Sequence, residues 1–279
     1  MNKTNEQVIV SLTTWRARIH NIPVVLDSIF NQTVKPDTII INLAYDEIVP
    51  HEVEEYINEH NIVVNRVEDT KVYKKFIPTL KKFPDACVIN IDDDMIYPEG
   101  MIEDFLNQHE IYPDNPICGN HSFCFGIMCH CGEASLTKLS FFGNYLDTID
   151  SDLMTHCPSS DFVYSYFAIK SGHPYIPSKG YYGTEYTPAY RAEESWSDNV
   201  IGQQGIKDTY TYLVNRYGAI PDLFSSYFNE ENSFIAKELF SGYANDVRQQ
   251  ERLETELRIR KSKAYRLGRM LLKPFKLFK

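Results

Sequence analysis

A chain of 279 residues with 43% hydrophobic residues is long enough for one large α/β domain or two small ones. Its net charge of −10 argues against nucleic acid as a partner, because that affinity comes largely from Lys and Arg that neutralise phosphates. There is neither an 18-residue apolar run nor a basic-then-apolar opening, so we expect a protein that is neither membrane-spanning nor secreted.

Short apolar segments alternate with helical segments over the first hundred residues. The predicted strands are residues 7–12, 38–44, 61–67 and 87–91. The predicted helices are residues 24–32, 52–60 and 74–83, the last of them interrupted early by Pro78. This alternation predicts βαβ units, and therefore an α/β fold with a mostly parallel sheet flanked by helices.

The pattern is less regular after residue 100, where helical spacing predicts helices over 99–110, 159–172 and 207–217. The helix at 159–172 ends on a glycine, which is a common stop signal. Because no repeat or low-complexity linker interrupts the sequence, we predict one globular domain over residues 1–245. A helical, basic tail is predicted over 246–279.

Three consecutive carboxylates follow the fourth predicted strand, in VINIDDDMIYPEG (88–100). Neighbouring carboxylates raise one another's pKa unless a cation lies among them. Ligands of a parallel sheet bind beyond the carboxyl ends of its strands, where Asp92 and Asp94 of an extended chain would face one side and Asp93 the other. Two carboxylates suit Mg²⁺ or Mn²⁺ that also carries substrate phosphates. The alternative is a solvated Asp turn that caps a helix beginning near Glu99.

These residues resemble the Asp-x-Asp region of GT-A fold glycosyltransferases, particularly bacterial enzymes related to glycosyltransferase family 2. The segment SLTTWRARIHNIPVVLDSIFNQTVKPDTIIINLA is similar to the opening of that group, and VYKKFIPTLKKFPDACVINIDDDMIYP matches it in order and spacing. The resemblance covers about residues 7–105. It implies a nucleotide-sugar half over 1–105, an acceptor half over 106–245, and a bound Mn²⁺ or Mg²⁺ with a UDP- or GDP-linked sugar.

The resemblance also implies roles for individual polar residues in donor binding. Asp94 would coordinate the metal directly, and Asp92 would contact the ribose or a metal-bound water. The other donor contacts that it implies are Thr13, Arg16 and Arg18 of the first loop, Asp69 near the base, Lys74 or Lys75 on the diphosphate, and Asp93 beside the metal ligands. A surface loop or a solvated basic helix face is the alternative interpretation for the loop residues and the lysines.

Inverting sugar transfer needs a base that takes the acceptor hydroxyl proton as that hydroxyl attacks the anomeric carbon. The segment CPSSDFVYSYFAIKSG (157–172) resembles the family's acceptor helix, and Asp161 matches the candidate base near its start. The family often has two adjacent acids there, whereas this chain has Ser160-Asp161. Ser159, Ser160 and Asp161 would equally form an ordinary helix N-cap.

Two further segments each admit two interpretations. The Tyr-rich segment 181–196 could order over the donor, or it could be a packed surface loop. Cys124, Cys129 and Cys131 could bind zinc, but their spacing does not match paired Cys-x-x-Cys ligands, so buried core cysteines are favoured. Six cysteines without a secretory signal favour reduced thiols in a cytosol.

The C-terminal segment 258–279 is electrostatically distinct from the rest of the chain. It contains nine Lys/Arg and no Asp/Glu, which leaves 19 basic and 38 acidic residues and a net charge of −19 in 1–257. Interleaved apolar and basic residues predict a segment that lies in the interface of an anionic membrane rather than spanning it. A disordered tail, or a cover for the acidic body, is the alternative.

Together with the resemblance, these features predict a metal-dependent, inverting glycosyltransferase that acts on a glycan or lipid-linked glycan in capsular or surface polysaccharide assembly. We expect it in the cytoplasm, peripheral at the inner face of the plasma membrane. One alternative is a haloacid-dehalogenase-type phosphatase, which also places Asp-x-Asp after a strand. The other is a non-catalytic, membrane-recruited binding protein. The sequence leaves the sugar, the acceptor and the oligomeric state open.

Overall fold

The computed structural model describes residues 6–119, 123–124, 128–129, 131–180, 182, 187 and 203–220. At residues 123, 124, 128, 203, 204, 206 and 207 the description covers the backbone only. The predicted tail over 246–279, the predicted boundary at residue 245 and most of the Tyr-rich segment 181–196 lie outside these residues.

Nine strands lie within the described residues. They are β1 Val8–Thr13, β2 Thr38–Ala44, β3 Val63–Val67, β4 Cys87–Ile91, β5 Ile117–Cys118, β6 Phe123–Cys124, β7 Met128–Cys129, β8 Ala134–Thr137 and β9 Ile176–Pro177. Seven of them form one sheet in the order β3-β2-β1-β4-β8-β5-β9, and β6 pairs with β7 separately. Strands β1 to β4 are parallel, β8 is antiparallel to β4 and β5, and β9 is parallel to β5. The predicted α/β fold with a mostly parallel sheet is confirmed.

Helices connect and follow these strands. They are α1 Ile22–Phe30, α2 His51–Glu59, α3 Ile77–Lys82, α4 Met101–Ile111, α5 Ser151–His156, α6 Ser160–Lys170 and α7 Gln203–Tyr217, within the described part of the chain. Over these same residues, we find no helix with the length and apolar character needed to cross a bilayer.

The centre of the sheet is buried because its strands are nearly continuous apolar runs. All five residues of β4 are buried, and so are the first five of β1. Such runs are typical of parallel strands that are covered on both faces. Because β1, β2 and β4 run in the same direction, their carboxyl ends meet at one edge of the sheet, which is where the acidic residues after β4 emerge.

The helix predicted over 74–83 is two elements rather than one. A 3-10 turn spans Lys71–Lys75, and α3 begins at Ile77. Pro78 lies in the first turn of α3, where its fixed φ suits the helix and its missing N–H would have had no intrahelical partner. The prediction that Pro78 interrupts a helix is therefore wrong, because this proline starts one.

Candidate active site

The three aspartates lie at the carboxyl edge of the sheet, directly after β4. The chain turns at Asp93 and Asp94, whose side chains are 5% and 8% exposed, while 26% of the Asp92 side chain is exposed. Helix α4 is capped by Gly100, and no side chain makes a capping hydrogen bond there. The three carboxylates are thus largely buried, and they do not cap α4. The alternative of a solvated Asp turn that caps this helix is wrong.

Two basic side chains contact these carboxylates. Arg18 Nη2 lies 3.3 Å from Asp93 Oδ1, and Arg18 Nη1 donates to Asp94. Lys75 Nζ donates to Asp92 and, at 2.9 Å, to the carbonyl oxygen of Gly132. The expected alternation of side chains is wrong, because the turn replaces an extended chain and brings Asp93 and Asp94 to the same guanidinium.

The three aspartates carry more negative charge than Arg18 and Lys75 neutralise. Burial and the neighbouring Asp92 raise the pKa of Asp94 to about 7, although Arg18 opposes the shift. Burial also raises the pKa of Asp93. The pKa of Lys75 is raised above its usual value, because the attraction of Asp92 and Asp161 outweighs the effect of burial. A further cation at this edge would relieve the repulsion.

Several buried polar atoms around the turn lack hydrogen bonds within the described residues. They are Asp93 Oδ2, Thr14 Oγ1, Arg18 Nε and Thr187 Oγ1. Thr14 lies close enough to Asp93 to oppose part of the rise in the pKa of that carboxyl group. The two side chains nevertheless do not reach normal hydrogen-bond geometry. Buried polar atoms are usually satisfied, so this pattern indicates a place for a polar ligand. Carboxylate and hydroxyl oxygens fit a hard divalent cation such as Mg²⁺ or Mn²⁺.

Tyr97 holds the start of the acidic turn in place. Its hydroxyl accepts a hydrogen bond of 2.8 Å from the Asp92 backbone N–H and donates one of 2.6 Å to the Glu133 carbonyl oxygen. The ring is 3% exposed. The turn after β4 is thereby tied to the segment that leads into β8, which fixes the direction in which the aspartates leave the sheet.

Lys75 is positioned through its backbone by a buried polar cluster between β1 and β2. Its carbonyl oxygen accepts hydrogen bonds from Ser11 Oγ at 2.7 Å and Asn42 Nδ2 at 3.0 Å. Thr79 Oγ1 completes the cluster, 2.7 Å from Ser11 Oγ and 3.0 Å from Asn42 Nδ2. Because every member is buried and hydrogen-bonded, the cluster fixes the position of the Lys75 backbone. The Lys75 side chain therefore starts from a fixed point.

Asp161 lies in the first turn of α6 and approaches the same lysine. Gly132 separates the two: its carbonyl oxygen binds Lys75, and a Cβ built on it would lie 2.6 Å from Asp161 Cγ. Ser159 is the N-cap residue by position, yet its side chain makes no capping hydrogen bond. Asp161 is thus close enough to Lys75 to raise the pKa of that lysine, as Asp92 also does.

The other residues predicted to contact the donor either bind other partners or are exposed. Thr13 Oγ1 donates to the Asn42 carbonyl oxygen at 2.7 Å, and Arg16 is exposed in the turn after β1. Asp69 forms ion pairs with Lys71 and, at 2.9 Å, with Lys74. Of the two candidate lysines, Lys75 therefore contacts the acidic turn, whereas Lys74 binds Asp69.

Three residues of the site were not singled out by sequence reasoning. They are Tyr97, Gly132 and Thr187, whose N–H donates to the Asp94 carbonyl oxygen at 2.7 Å. Tyr97 stands within the quoted acidic motif, so its place three residues after the carboxylates was an available signal. Thr187 belongs to the Tyr-rich segment, and at this residue that segment packs against the acidic turn.

The cysteines of the second half are buried where their side chains are described. Cys118, Cys129 and Cys131 are free thiols that are at most 1% exposed. Burial raises the pKa of Cys129 and Cys131. These three agree with the interpretation as core cysteines, while the side chain of Cys124 lies outside the description.

Comparison with known proteins identifies the fold. No family model matches the sequence, and neither does any curated protein. Among solved structures, the mannosyltransferase PcManGT from Pyrobaculum calidifontis, in complex with GDP-Man and Mn²⁺, matches with a TM-score of 0.50 and 13% identity over 95% of this chain and 84% of that chain. This chain therefore has the fold of that mannosyltransferase structure.

Two structures of S. aureus TarS match less well. For TarS 1–349 in complex with UDP the TM-score is 0.47, with 12% identity over 81% of this chain and 77% of that chain. For another TarS structure it is 0.46, with 13% identity over 64% of this chain and only 36% of that chain. The narrower relation to glycosyltransferase family 2 stays a prediction.

Proposed function

We propose that the chain is a metal-dependent glycosyltransferase that moves a sugar, with inversion, from a nucleotide-sugar to a glycan or lipid-linked glycan in polysaccharide biosynthesis. The observation that carries this proposal is the buried, charge-unbalanced set of three aspartates at the carboxyl edge of a sheet with a glycosyltransferase fold. The pathway rests on the sequence resemblance.

Asp92 and Asp94 would hold the metal ion, since their carboxylates lie at the edge where the sheet binds ligands. When bound, Mn²⁺ or Mg²⁺ stabilises the negative charge of the departing diphosphate. Arg18 and Lys75 already point into this region and would donate to diphosphate oxygens. Arg18 offers a planar fork for this task, whereas Lys75 offers a point charge.

Asp161 would act as the base. Its position near Lys75 keeps a carboxylate close to the donor region, and helix α6 carries it on a rigid element. The acceptor hydroxyl would give its proton to Asp161 as it attacks the anomeric carbon. The absence of a side chain at Gly132 leaves room for this carboxylate.

The donor nucleotide is proposed to be GDP or UDP. The PcManGT structure contains GDP-Man and Mn²⁺, which supports a nucleotide-sugar with a divalent metal for this fold. We further propose that the basic segment 258–279, which lies outside the described residues, holds the enzyme at an anionic membrane surface on the cytoplasmic side.

Calorimetric titration tests the donor site. UDP and GDP are titrated into the full chain with Mn²⁺ and with EDTA, for the wild type, Asp94→Ala and Asp85→Ala. Asp85 is an exposed acid ahead of β4 and serves as the matched control. We expect one nucleotide to bind only with metal, and binding to be lost in Asp94→Ala but kept in Asp85→Ala.

Equal binding by Asp94→Ala and the wild type would contradict the metal assignment. Binding of no nucleotide, with CMP and dTDP also tested, would contradict the donor site as a whole. Metal-dependent hydrolysis of a phosphate monoester in that case would favour the phosphatase alternative.

A further inference from the structure

Three metal-binding side chains converge at the end of β4 that lies opposite the aspartates. Cys87 is the first residue of β4, His109 lies in the last turn of α4, and Glu6 precedes β1. One ligand atom from each residue lies within 4.8 Å of the ligand atoms of the other two. These residues are distant in sequence, so the tertiary fold creates the cluster.

Two of the three separations between donor atoms are close to those of a tetrahedral site. Glu6 Oε2 lies 3.0 Å from Cys87 Sγ and 3.6 Å from His109 Nε2. Ligands at the usual Zn–S, Zn–N and Zn–O distances stand about 3.5 Å apart in a tetrahedron. Small side-chain adjustments would therefore bring a thiolate, an imidazole and a carboxylate onto one ion.

The burial of these groups and their mixture of S, N and O donors suit a metal of intermediate softness. The His109 side chain is only 4% exposed, so its imidazole lies in the interior beside Cys87 and Glu6. Cys87 is fully buried, and its thiol donates to Glu6. The Glu6 side chain is 40% exposed, which gives an ion a route into the cluster.

Lys138 also contacts this cluster and has to be accommodated. Its ammonium lies 2.7 Å from Glu6 Oε1 and 2.7 Å from Oε2, so it bridges the carboxylate. An ion on Oε2 would leave Oε1 for Lys138, and metal-ligating carboxylates are commonly hydrogen-bonded in this manner. One thiolate, one carboxylate and one ammonium together carry a net charge of −1, which still favours a divalent cation.

We propose that Glu6, Cys87 and His109 form a Zn²⁺-type site, with water as the fourth ligand. Cys87 and Asp92 lie at opposite ends of β4, about 16 Å apart for five steps along a strand. The site is therefore separate from the donor site, and it goes beyond the proposed function. On binding, the Cys87 thiol proton leaves to solvent, and the ion ties the segment ahead of β1 to β4 and α4.

Metal titration of the tag-free full chain tests this site. Zn²⁺ is titrated in excess Mg²⁺, which occupies hard oxygen sites, and Co²⁺ is added separately to detect thiolate charge-transfer absorption in the near ultraviolet. The variants are Cys87→Ser, His109→Gln and Glu6→Gln. Cys129→Ser is the matched control, because Cys129 is another buried thiol. It lies near Cys118 and Cys131, so this variant also tests whether that group of thiols binds the metal instead.

We expect Zn²⁺ to bind the wild type and Cys129→Ser equally, and at least about 100-fold more weakly to Cys87→Ser and His109→Gln. The Co²⁺ thiolate band should disappear in Cys87→Ser and remain in Cys129→Ser. Equal affinity in the wild type and Cys87→Ser, or a loss confined to Cys129→Ser, would overturn the proposal. Glu6→Gln removes a partly exposed ligand, so it keeps the test decisive if a core variant fails to fold. Nucleotide binding is a separate measurement, and its outcome does not affect this one.

Discussion

Gly132 connects three parts of the candidate site through a single residue. Its carbonyl oxygen accepts hydrogen bonds from Lys75 Nζ at 2.9 Å and from Asn90 Nδ2 at 3.0 Å. Its Cα leaves the space into which the Asp161 carboxylate fits. Its φ is not positive, so the requirement for glycine here is steric rather than conformational.

The variant Gly132→Ala tests this steric role. The added methyl group would push Asp161 away from the donor region, while the carbonyl that binds Lys75 is retained. We expect kcat to fall about 100-fold, which is typical of a displacement of about 1 Å, with nucleotide affinity nearly unchanged. Turnover of the nucleotide-sugar and calorimetric binding measure the two quantities.

Gly100→Ala is the control for that experiment. A Cβ at Gly100 meets nothing within 4 Å, and its φ is −94°. Activity should therefore stay within a small factor of the wild type. Unchanged turnover in Gly132→Ala would show that Asp161 does not need its present position, and would argue against its role as the base.

At the scale of single elements, helix α6 shows how the sequence specifies where a helix ends. The helix stops at Lys170, and Gly172 follows with a φ of +89°. The N–H of Gly172 donates to the Ile169 carbonyl oxygen, and the N–H of His173 donates to that of Ala168. This left-handed residue satisfies the last carbonyl groups of the helix, as the sequence signal at 159–172 predicted.

The variant Gly172→Ala should lower the free energy of unfolding by about 1 kcal/mol, because a side chain disfavours the left-handed conformation. A Cβ there meets nothing within 4 Å, so no steric clash contributes. Gly172→Asn should lose less, since asparagine adopts this conformation more readily than alanine. Urea denaturation of both variants measures the difference, and equal stability of Gly172→Ala and the wild type would contradict it.

The longer elements were predictable because each has a strong local pattern. Strands β2 and β4 coincide with the predicted runs 38–44 and 87–91, which are apolar and bounded by turn residues. The short strands β5 to β9 were not predicted, since all but the four-residue β8 have two residues, and two residues carry no usable periodicity. Their pairing depends on contacts across the sheet.

The candidate site was predictable to a lesser extent. The acidic triplet was proposed from its sequence motif, and Arg18 and Lys75 were proposed from the family resemblance; the structure brings them together. Tyr97 also binds Glu133, and Gly132 binds Lys75, and a single sequence does not reveal contacts over 36 and 57 positions. The prediction that Asp92 and Asp94 face one side and Asp93 the other was wrong, because it assumed an extended chain. The chain instead turns at Asp93 and Asp94.

At the scale of the whole molecule, the separation of charge leads to a prediction about location. A body of net charge −19 precedes a segment with nine Lys/Arg over 258–279. Each cation near an anionic surface contributes about 1 kcal/mol, and salt screens that attraction over about 8 Å at physiological ionic strength.

Removal of residues 258–279 should abolish binding to vesicles that contain anionic lipid. The full chain should bind such vesicles at low salt, bind more weakly at high salt, and not bind neutral vesicles. Co-sedimentation measures all four cases. Retention of binding by the truncated chain would show that another surface contacts the lipid.

The pairing of β4 with β8 makes the two predicted halves of the chain inseparable. β4 belongs to 1–105 and β8 to 106–245, yet they are neighbours in the middle of one sheet. A chain cut between them would expose the apolar, unpaired edge of β4, which favours aggregation or recombination with the missing piece. The second half could therefore change by alteration of its loops, but not by exchange as an independent module, so the two halves have to be inherited together.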